Sequence, residues 1–584
     1  MSDFDASVRD LARKYALENA VRHGGKATPG AVVGKVMGAS PEARQRAKDV
    51  PPLVAAVVEE VNAMAPDAQR AAFAEVEGTL VKREKKEDEG PLKPLRNAVK
   101  GKVVLRLAPN PSGPPHFGHG RGMVITSEYK RMYDGVFILR FDDTDTTVKP
   151  PWPPAYEMFQ ETVEWLTGAR PDRVVYASDR LERYYEVAEE AFRRGGLYVC
   201  ECVGDAFRAF KEKAEPCPHR GRSVEENLAQ WRRMLEGGFR RGEVAVRVKT
   251  DMQHKDPALR DWVAFRLADE PHPRVGDKYR VWPLLDFQSA VDDHDEGVTH
   301  IIRGKDLRDS TAKQEFLYAH LGWTYPETTY WGRVSVHEFG KFSKSILNKA
   351  IEAGEYTGWD DPRLPTFPAL RRRGITPEGI RNFWLSFGIT EKDVAASIVT
   401  LEAENKKVLE SRHTLHYWFV EDPVRIDIPP AFAGDFNDAI PAKAILIQRD
   451  AHAKGPTDGV VDSITPAKPW VYVARKDYEA LKHKGFRLKS FLNIDAHGKV
   501  PEGRALDTLW ARENNTAIIQ WVGPNALPSK LVTAEKPPDE PVTGLVEEQI
   551  RREAVGNIVQ LERVGFARVD QQNPNEVVLY FAHP

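Results

Sequence analysis

The apolar and polar positions of residues 1–75 repeat at the spacing of amphipathic helices. A first helix is predicted to end at Gly24 and Gly25, and a second follows after residue 50. The two apolar stripes consist of Phe4, Val8, Leu11, Tyr15, Val54, Val57, Val58 and Val61. The charged run KREKKEDEG at 82–90 then predicts a solvated linker, so we expect a small helical appendage that ends near residue 95.

Short β-branched runs alternate with helices from residue 103 onward. VVLRL at 103–107 precedes a predicted helix near 118–133, and FILRF at 137–141 precedes one near 154–167. This alternation predicts a doubly wound parallel sheet of the Rossmann type, which binds ligands at the carboxyl ends of its strands. Because residues 198–285 interrupt the pattern before THIIRGKD resumes it, we expect an insertion that splits this sheet domain.

Beyond residue 350 the pattern is helical to about residue 413 and then changes to β. Short runs between Pro and Gly turns predict one barrel or a pair of barrels, and these runs are VRIDI, AILIQ, WVYVA, LKSFLNI, AIIQWV and EVVLYF. The predicted fold is thus a multidomain α/β protein with a helical N-terminal appendage and C-terminal all-β barrels. Its predicted regions are 1–95 (appendage and linker), 96–197 (first half of the sheet domain), 198–290 (insertion), 291–350 (second half), 351–413 (helical region) and 414–584 (barrels).

Composition narrows the class of protein. The chain has 584 residues, 41% hydrophobic and 29% charged, which excludes a disordered chain or one small module and predicts three to five domains. Lys plus Arg number 84 against 86 Asp plus Glu, so a polyanion would have to bind through local basic patches. Since no run approaches the roughly 20 apolar residues that span a bilayer, we expect a cytoplasmic protein without a membrane partner.

The 3 cysteines all lie between residues 200 and 217, so a disulfide framework is not available. Cys200 and Cys202 form one close pair, and Cys217 with His219 forms another. Three thiolates and one imidazole are a complete ligand set for a structural, tetrahedral zinc ion. The alternative is three unrelated free thiols beside a surface histidine.

Two segments have the character of a phosphate site. In PNPSGPPHFGH at 109–119 a Gly/Pro turn enters a predicted helix, whose free N–H groups can bind an anion together with His116 and His119. In KFSKS at 341–345, two lysines and two hydroxyls can neutralise charge that develops on a triphosphate. Each segment alone also fits a plain surface turn or a basic loop; together they favour a triphosphate site.

HFGH after the first strand and KFSKS after the last resemble the two signature motifs of class I aminoacyl-tRNA synthetases. Within that class, RFDDTD at 140–145, VDDHDEGVTHIIRGKD at 291–306 and GWDDPRLPTFPALRRRG at 358–374 resemble the glutamyl/glutaminyl branch, specifically the archaeal type of glutamyl-tRNA synthetase. The resemblance implies activation of glutamate by ATP with Mg²⁺, followed by transfer to the terminal ribose of tRNA(Glu). Archaeal-type relatives often also load tRNA(Gln), and the sequence leaves this second substrate open.

The resemblance also implies roles for individual residues. The implied catalytic residues are His116, His119, Lys341 and Lys344. The implied ATP-binding residues are Pro109, Asn110, His116, Gly118, His119, Ser343, Lys344 and Ser345. Some members of the family carry a comparable zinc site in the insertion, near the acceptor end of the tRNA.

Three residues are implied in glutamate binding: Arg106, Arg303 and Asp142, the last of these for the substrate ammonium group. Glutamate and glutamine differ mainly in charge, and a buried guanidinium left without its carboxylate costs roughly 3–5 kcal/mol, which is enough to discriminate between them. The alternative is that both arginines form structural ion pairs with Asp142, Asp143 or Asp145. Leu285 stands where relatives usually have a tyrosine that faces the amino acid.

Several local basic patches can bind RNA phosphates without reading sequence. They are Arg371, Arg372 and Arg373, the FRRGEVAVRVK stretch, and Lys406 with Lys407. Each patch alone is also compatible with a solvated face, and aromatic residues of the barrels can stack anticodon bases. Two other functions stay open at this point: a glutaminyl-tRNA synthetase, and a non-catalytic RNA-binding relative.

Overall fold

The structure is a computed structural model of the chain. It describes residues 3–22, 24–76, 92–202, 204–339, 344–412, 414–428, 470–489, 491–505 and 507–584. The chain divides into two compact units, Met1–Gly90 and Pro91–Pro584. Among the described residues, no helix is both long and apolar enough to cross a bilayer.

The first unit is helical, as predicted, and the predicted apolar stripes supply much of its core. Its first helix ends at Arg22, and Gly24 and Gly25 follow with φ of 69° and 93°, a conformation that glycine adopts without strain. The buried members of the stripes are Val8, Tyr15, Val54, Val57, Val58 and Val61. The helices are α1 (Asp3–Arg22), α2 (Pro29–Ala39), α3 (Pro41–Gln45), α4 (Val50–Asn62) and α5 (Pro66–Val76).

The second unit begins with alternating strands and helices. Each strand is a short apolar run, and buried faces of the helices pack against the strands. The elements are β1 (Val104–Leu107), α6 (Phe117–Tyr133), β2 (Val136–Phe141), α7 (Pro153–Thr167), β3 (Arg173–Tyr176) and α8 (Leu181–Arg193).

An antiparallel four-stranded sheet with the order β4-β5-β6-β7 then interrupts the alternation. Trp231, Trp262 and Trp282 help to fill its core, which is continuous with buried residues of the helices on either side of it in the chain. The elements are β4 (Leu197–Cys200), α9 (Gly204–Lys213), α10 (Val224–Leu235), β5 (Ala245–Val248), β6 (Val263–Leu267) and β7 (Val281–Pro283).

The alternation resumes with α11 (Leu285–Asp295), β8 (His300–Gly304), α12 (Arg308–Leu321) and β9 (Glu327–Trp331). The first sheet has the order β3-β2-β1-β8-β9, and all four neighbouring pairs are parallel. Strands β1 and β8 are neighbours although the insertion separates them, so the predicted split, doubly wound sheet is confirmed. From β1 the chain first adds β2 and β3 on one side and later β8 and β9 on the other. Open α/β sheets bind their ligands at such a reversal of strand order.

A strand pair that the sequence pattern did not indicate joins the predicted helical region to the end of the predicted sheet domain. Strands β10 (Val334–Val336) and β11 (Val394–Ala396) form a small parallel pair, and three α-helices lie between them in the chain. The other elements here are α13 (Lys344–Glu352), α14 (Phe367–Arg373), α15 (Pro377–Ser386) and α16 (Ile398–Ser411).

The C-terminal region is rich in β-sheet, as predicted. In its seven-stranded sheet the two end strands, β12 and β13, are separated by Trp418 alone, so the sheet curls almost into a barrel. The all-β prediction missed helices α17 and α18, and AILIQ lies outside the described residues. The strands are β12 (His416–Tyr417), β13 (Phe419–Glu421), β14 (Pro423–Asp427), β15 (Trp470–Ala474), β16 (Phe486–Leu488), β17 (Asn493–Ile494), β18 (Ala517–Ile519), β19 (Leu527–Val532), β20 (Val542–Val546), β21 (Ile558–Leu561), β22 (Gly565–Asn573) and β23 (Glu576–His583), and the helices are α17 (Arg475–Leu481) and α18 (Thr508–Glu513).

Candidate active site

A small cavity lies at the carboxyl edge of the parallel sheet, and we call it the edge cavity. It is lined by Arg106 on β1, Asp142 directly after β2, and Arg303 on β8. The structure therefore brings together the three residues that the sequence predicts for glutamate, because the carboxyl ends of parallel strands meet at one edge. The other lining residues are Ala108, Leu285, Asp286, Ser289, Leu307, Ser310 and Gln314.

Arg106 is held by a buried carboxylate from helix α11. Its Nε and Nη2 donate to the two oxygens of Asp293 over 3.0 and 3.2 Å. Arg140 donates to the same carboxylate over 2.7 Å. Burial alone would raise the pKa of Asp293, but these two guanidinium groups lower it to about 2. The positive charge of Arg106 is thus neutralised inside the protein.

Arg303 differs from Arg106. The residue is 5% exposed, its Nη1 donates to the amide oxygen of Gln314 over 3.3 Å, and its Nε is buried without a hydrogen-bond partner. Within the described residues, no carboxylate lies within 4.0 Å of it. Burial, and then the charge of Arg106, lower its pKa. Because an arginine stays protonated in proteins, the edge cavity contains a cation that has no direct ion-pair partner among the described residues, although the charge of Asp293 still reaches it.

Asp142 accepts two hydrogen bonds on its Oδ1, from Nε of Arg140 over 2.8 Å and from the amide of Gln288 over 2.9 Å. In the part of the chain that the structure describes, no hydrogen bond reaches its Oδ2. Its backbone N–H donates to the oxygen of Pro109, and the Asn110 amide donates to its backbone oxygen over 3.1 Å. The predicted Pro/Asn turn is therefore tied to the cavity wall.

The alternative that Arg106 and Arg303 pair with the RFDDTD carboxylates does not hold for the described residues. Asp142 pairs with Arg140. Asp143 accepts from Tyr156 and Ser178, and Asp145 pairs with Arg266 over 3.0 Å. Arg106 does form an ion pair, but its partner comes from a helix that the sequence analysis did not connect with it.

His116 and His119 form the start of helix α6. His116 is the N-cap residue, and its Nδ1 accepts from the backbone N–H of Gly118 over 3.2 Å. The Nδ1 of His119 accepts from the backbone N–H of His116 over 3.1 Å. A Cβ on residue 118 would lie 3.1 Å from a ring carbon of His116, which is a tight contact, so a larger residue there would require the imidazole to shift. The turn is further held by Phe117, whose N–H donates to the oxygen of Pro365.

Both imidazoles are neutral at physiological pH. Burial lowers the pKa of His116 to about 4, and burial together with the neighbouring His116 lowers that of His119 well below its usual value. Since both Nδ1 atoms accept backbone hydrogen bonds, each neutral ring has its proton on Nε2. The pair can therefore donate hydrogen bonds to an anion without adding positive charge.

The second predicted phosphate segment is described only in part. Lys341 and Ser343 lie outside the described residues. Lys344 and Ser345 begin helix α13, and their side chains also lie outside the described set. The predicted roles of these four residues stay predictions.

The four predicted metal ligands lie together. Their ligand atoms are all within 4.8 Å of one another. Sγ of Cys200 lies 3.8 Å from Sγ of Cys217, and Nδ1 of His219 lies 3.4 Å from Sγ of Cys202 and 3.9 Å from Sγ of Cys200. With a Zn–S distance of about 2.3 Å, the sulfur atoms of a tetrahedral site are about 3.8 Å apart. The donor set and its spacing thus fit a closed zinc site.

The three arginines at 371–373 were predicted to bind RNA phosphates, but two of them contact other parts of the protein instead. Arg372 pairs with Asp360 and Asp570, and Arg373 is buried, where it donates to the backbone oxygen of Ala582. These two side chains tie α14 to the C-terminal sheet because carboxylate and carbonyl acceptors face them there. Arg371 alone of the three is exposed.

Asp292 also belongs to the edge cavity network, because it accepts from the Gln288 amide over 2.8 Å and lies 3.6 Å from Nε of Arg140. Sequence reasoning missed five residues of this network: Arg140, Gln288, Asp292, Asp293 and Gln314. Arg140, Asp292 and Asp293 lie within the recognised motifs RFDDTD and VDDHDEGVTH, and Gln288 lies three residues before the second motif. The three carboxylates of VDDHD were the signal that could have indicated this network. Where such a helix has a buried face, the charges on that face need partners. Their individual partners depend on the three-dimensional packing.

The chain matches two family models. Residues 102–411 match the model described as "tRNA synthetases class I (E and Q), catalytic domain", and residues 496–570 match the corresponding anticodon-binding domain. The chain therefore belongs to the class I tRNA synthetases of the glutamyl and glutaminyl branch.

Similar curated proteins span the whole chain. A glutamate–tRNA ligase of Methanothrix thermoacetophila is 45% identical over 585 residues, with 99% of each chain covered. A glutamate–tRNA ligase of Pyrococcus abyssi is 45% identical over 592 residues, with 99% of this chain and 100% of that one covered. A third, from Archaeoglobus fulgidus, is 43% identical over 579 residues.

Proposed function

We propose that this protein is a glutamate–tRNA ligase. It activates glutamate with ATP to glutamyl adenylate and transfers the glutamyl group to the terminal ribose of tRNA(Glu). The observation that carries this proposal is that Arg303 lines the edge cavity without a direct ion pair, because a buried guanidinium in that state favours an anionic side chain over a neutral one. Membership of the glutamyl and glutaminyl branch supports the reaction class.

The substrate amino acid is proposed to span the edge cavity. Arg303 binds its side-chain carboxylate, and Oδ2 of Asp142 accepts from its ammonium group. Arg106, which Asp293 neutralises, shapes the wall and donates hydrogen bonds without adding net charge. Leu285 contributes an apolar contact at the cavity where relatives usually have a tyrosine.

The histidine turn is proposed to bind ATP. Attack of the glutamate carboxylate on the α-phosphate needs positioning and charge neutralisation, and no covalent nucleophile. The Nε2 protons of His116 and His119 donate to phosphate oxygens, and Gly118 lets adenosine approach the helix start. Lys344, supported by Lys341, neutralises the leaving pyrophosphate, and Mg²⁺ arrives with ATP.

We also propose a structural zinc ion held by Cys200, Cys202, Cys217 and His219. The ion would close a loop of the insertion, and it would take no part in the chemistry since all four positions are filled by the protein. The division into six regions, the cytoplasmic location and the use of tRNA(Gln) stay predictions.

A charging matrix tests the proposed function. Purified protein is given tRNA(Glu) or tRNA(Gln) together with labelled glutamate or glutamine, and acylated tRNA is measured. We expect charging with glutamate and none with glutamine. Preferential glutamine charging would replace the proposal with a glutaminyl-tRNA synthetase, and no charging in any combination would favour a non-catalytic RNA-binding relative.

A further inference from the structure

We propose that Gln314 is a positioning residue that sets the charge of the edge cavity and thereby its preference for glutamate. This inference rests on the proposed function. Gln314 lies on α12, is 1% exposed, and lines the cavity beside Arg303. Its amide oxygen accepts the one hydrogen bond that the structure records from the Arg303 guanidinium, over 3.3 Å.

The other charged side chains of the cavity show why an amide matters at this position. Arg106 has Asp293 at 3.0 Å, Asp142 has Arg140 at 2.8 Å, and Asp286 has Lys313 at 3.0 Å. Arg303 alone among the charged residues that line the cavity has no ion-pair partner within the described residues. An amide oxygen fixes the guanidinium but leaves its charge available to a ligand.

The orientation of the Gln314 amide is fixed by a second contact. The hydroxyl of Tyr325 donates to the same amide oxygen over 2.6 Å, and Tyr325 packs edge to face on Tyr318 with ring centroids 4.9 Å apart. Burial raises the pKa of Tyr325 to about 12, so its hydroxyl keeps its proton at neutral pH. A flipped amide would present its NH₂ group to two donors, so the oxygen stays towards Arg303.

A carboxylate at position 314 would form an ion pair with Arg303 and neutralise its charge, as Asp293 does with Arg106. Glutamate has nearly the same shape as glutamine, so Gln314→Glu changes the charge with little change in packing. The variant side chain would pair with Arg303 and compete with the carboxylate of the substrate. Glutamine as a substrate would not be affected in this way, since its amide does not depend on the free charge.

The test measures tRNA-dependent pyrophosphate exchange for Gln314→Glu with glutamate and with glutamine. We expect the KM for glutamate to rise about 100-fold, the order of a lost buried charge pair, with the KM for ATP unchanged. The preference for glutamate over glutamine falls by a similar factor. The matched control, Gln314→Leu, removes the acceptor without adding charge, and it should raise the KM for glutamate only about fivefold while keeping the preference.

The outcomes separate the inference from the proposed function. If the wild-type protein activates glutamate and Gln314→Glu keeps its glutamate preference, or if Gln314→Leu loses as much as Gln314→Glu, the inference is wrong and the proposed function stands. If the wild-type protein does not activate glutamate, the proposed function fails and this inference with it. Should Gln314→Glu not fold, Tyr325→Phe gives a second test, because it removes the hydroxyl that orients the Gln314 amide. We expect a several-fold higher KM for glutamate at unchanged kcat. An unchanged KM for glutamate would overturn the inference.

Discussion

The edge cavity and the cysteine–histidine cluster handle charge in opposite ways. In the cavity, Arg106 and Asp142 have protein partners, while Arg303 keeps an unbalanced charge. In the cluster, Cys200, Cys202 and Cys217 with one histidine can fully surround a dication, so no open position is left. The first arrangement suits a ligand that comes and goes, and the second suits a permanent structural ion.

The largest effect is expected from removing the unbalanced charge. Arg303→Leu should lower kcat/KM for glutamate by about 150-fold to 4,000-fold, because roughly 3–5 kcal/mol of interaction with the substrate carboxylate is lost. The KM for ATP should stay the same. Steady-state pyrophosphate exchange checks this, and the exposed Arg170→Leu is the control that should leave both values unchanged. An unchanged KM for glutamate in Arg303→Leu would contradict the assignment.

Removing the charge of Asp293, which pairs with Arg106 and Arg140, should affect the stability of the protein more than its choice of amino acid. Asp293→Asn leaves Arg106 and Arg140 without their shared carboxylate, which we expect to lower the free energy of unfolding by about 3–5 kcal/mol. Denaturant unfolding measures this change. The exposed Asp205→Asn should change stability by less than about 0.5 kcal/mol. Equal stabilities of the two variants would show that the buried network does not hold this region.

Loss of the proposed zinc ion should lower the thermal stability of the protein, because the ion closes a loop of the insertion. Protein purified without chelators is expected to contain one zinc ion per chain, and Cys217→Ser to contain none and to melt roughly 5 °C lower. Metal analysis and thermal unfolding check both points, with His497→Asn, an exposed histidine elsewhere, as control. A metal-free wild-type protein would remove the zinc proposal.

The smallest effect at neutral pH concerns the histidine turn. Because the pKa of His116 is about 4 in the folded protein against 6.5 for the unperturbed side chain, the unfolded chain binds this proton first as the pH falls. The stabilising contribution is complete above pH 6.5 and decreases between pH 6.5 and about 4. The difference in unfolding free energy between wild type and His116→Gln should follow this window. NMR titration of His116 near pH 6.5 would contradict it.

Distance along the chain decides how much of each region could be predicted. The metal ligands lie within 20 residues of one another, so their spacing alone indicated the site. Arg106 and Asp293 are 187 residues apart, and their pairing depends on how α11 packs against the sheet. The parallel sheet, its insertion and the convergence of Arg106, Asp142 and Arg303 were predictable from alternating patterns and from the strand-end rule. The sequence did not predict which of the two arginines lacks an ion-pair partner, because nothing in it distinguishes Gln314 and Asp293 from other helix residues.

The most direct test of the unbalanced Arg303 is a crystal structure of the protein with glutamate bound. Our account predicts that the side-chain carboxylate of glutamate lies within about 3.2 Å of the Arg303 guanidinium, with the Arg106–Asp293 pair unbroken. A glutamate carboxylate bound elsewhere, or an Arg303 paired with a carboxylate of the protein itself, would contradict it.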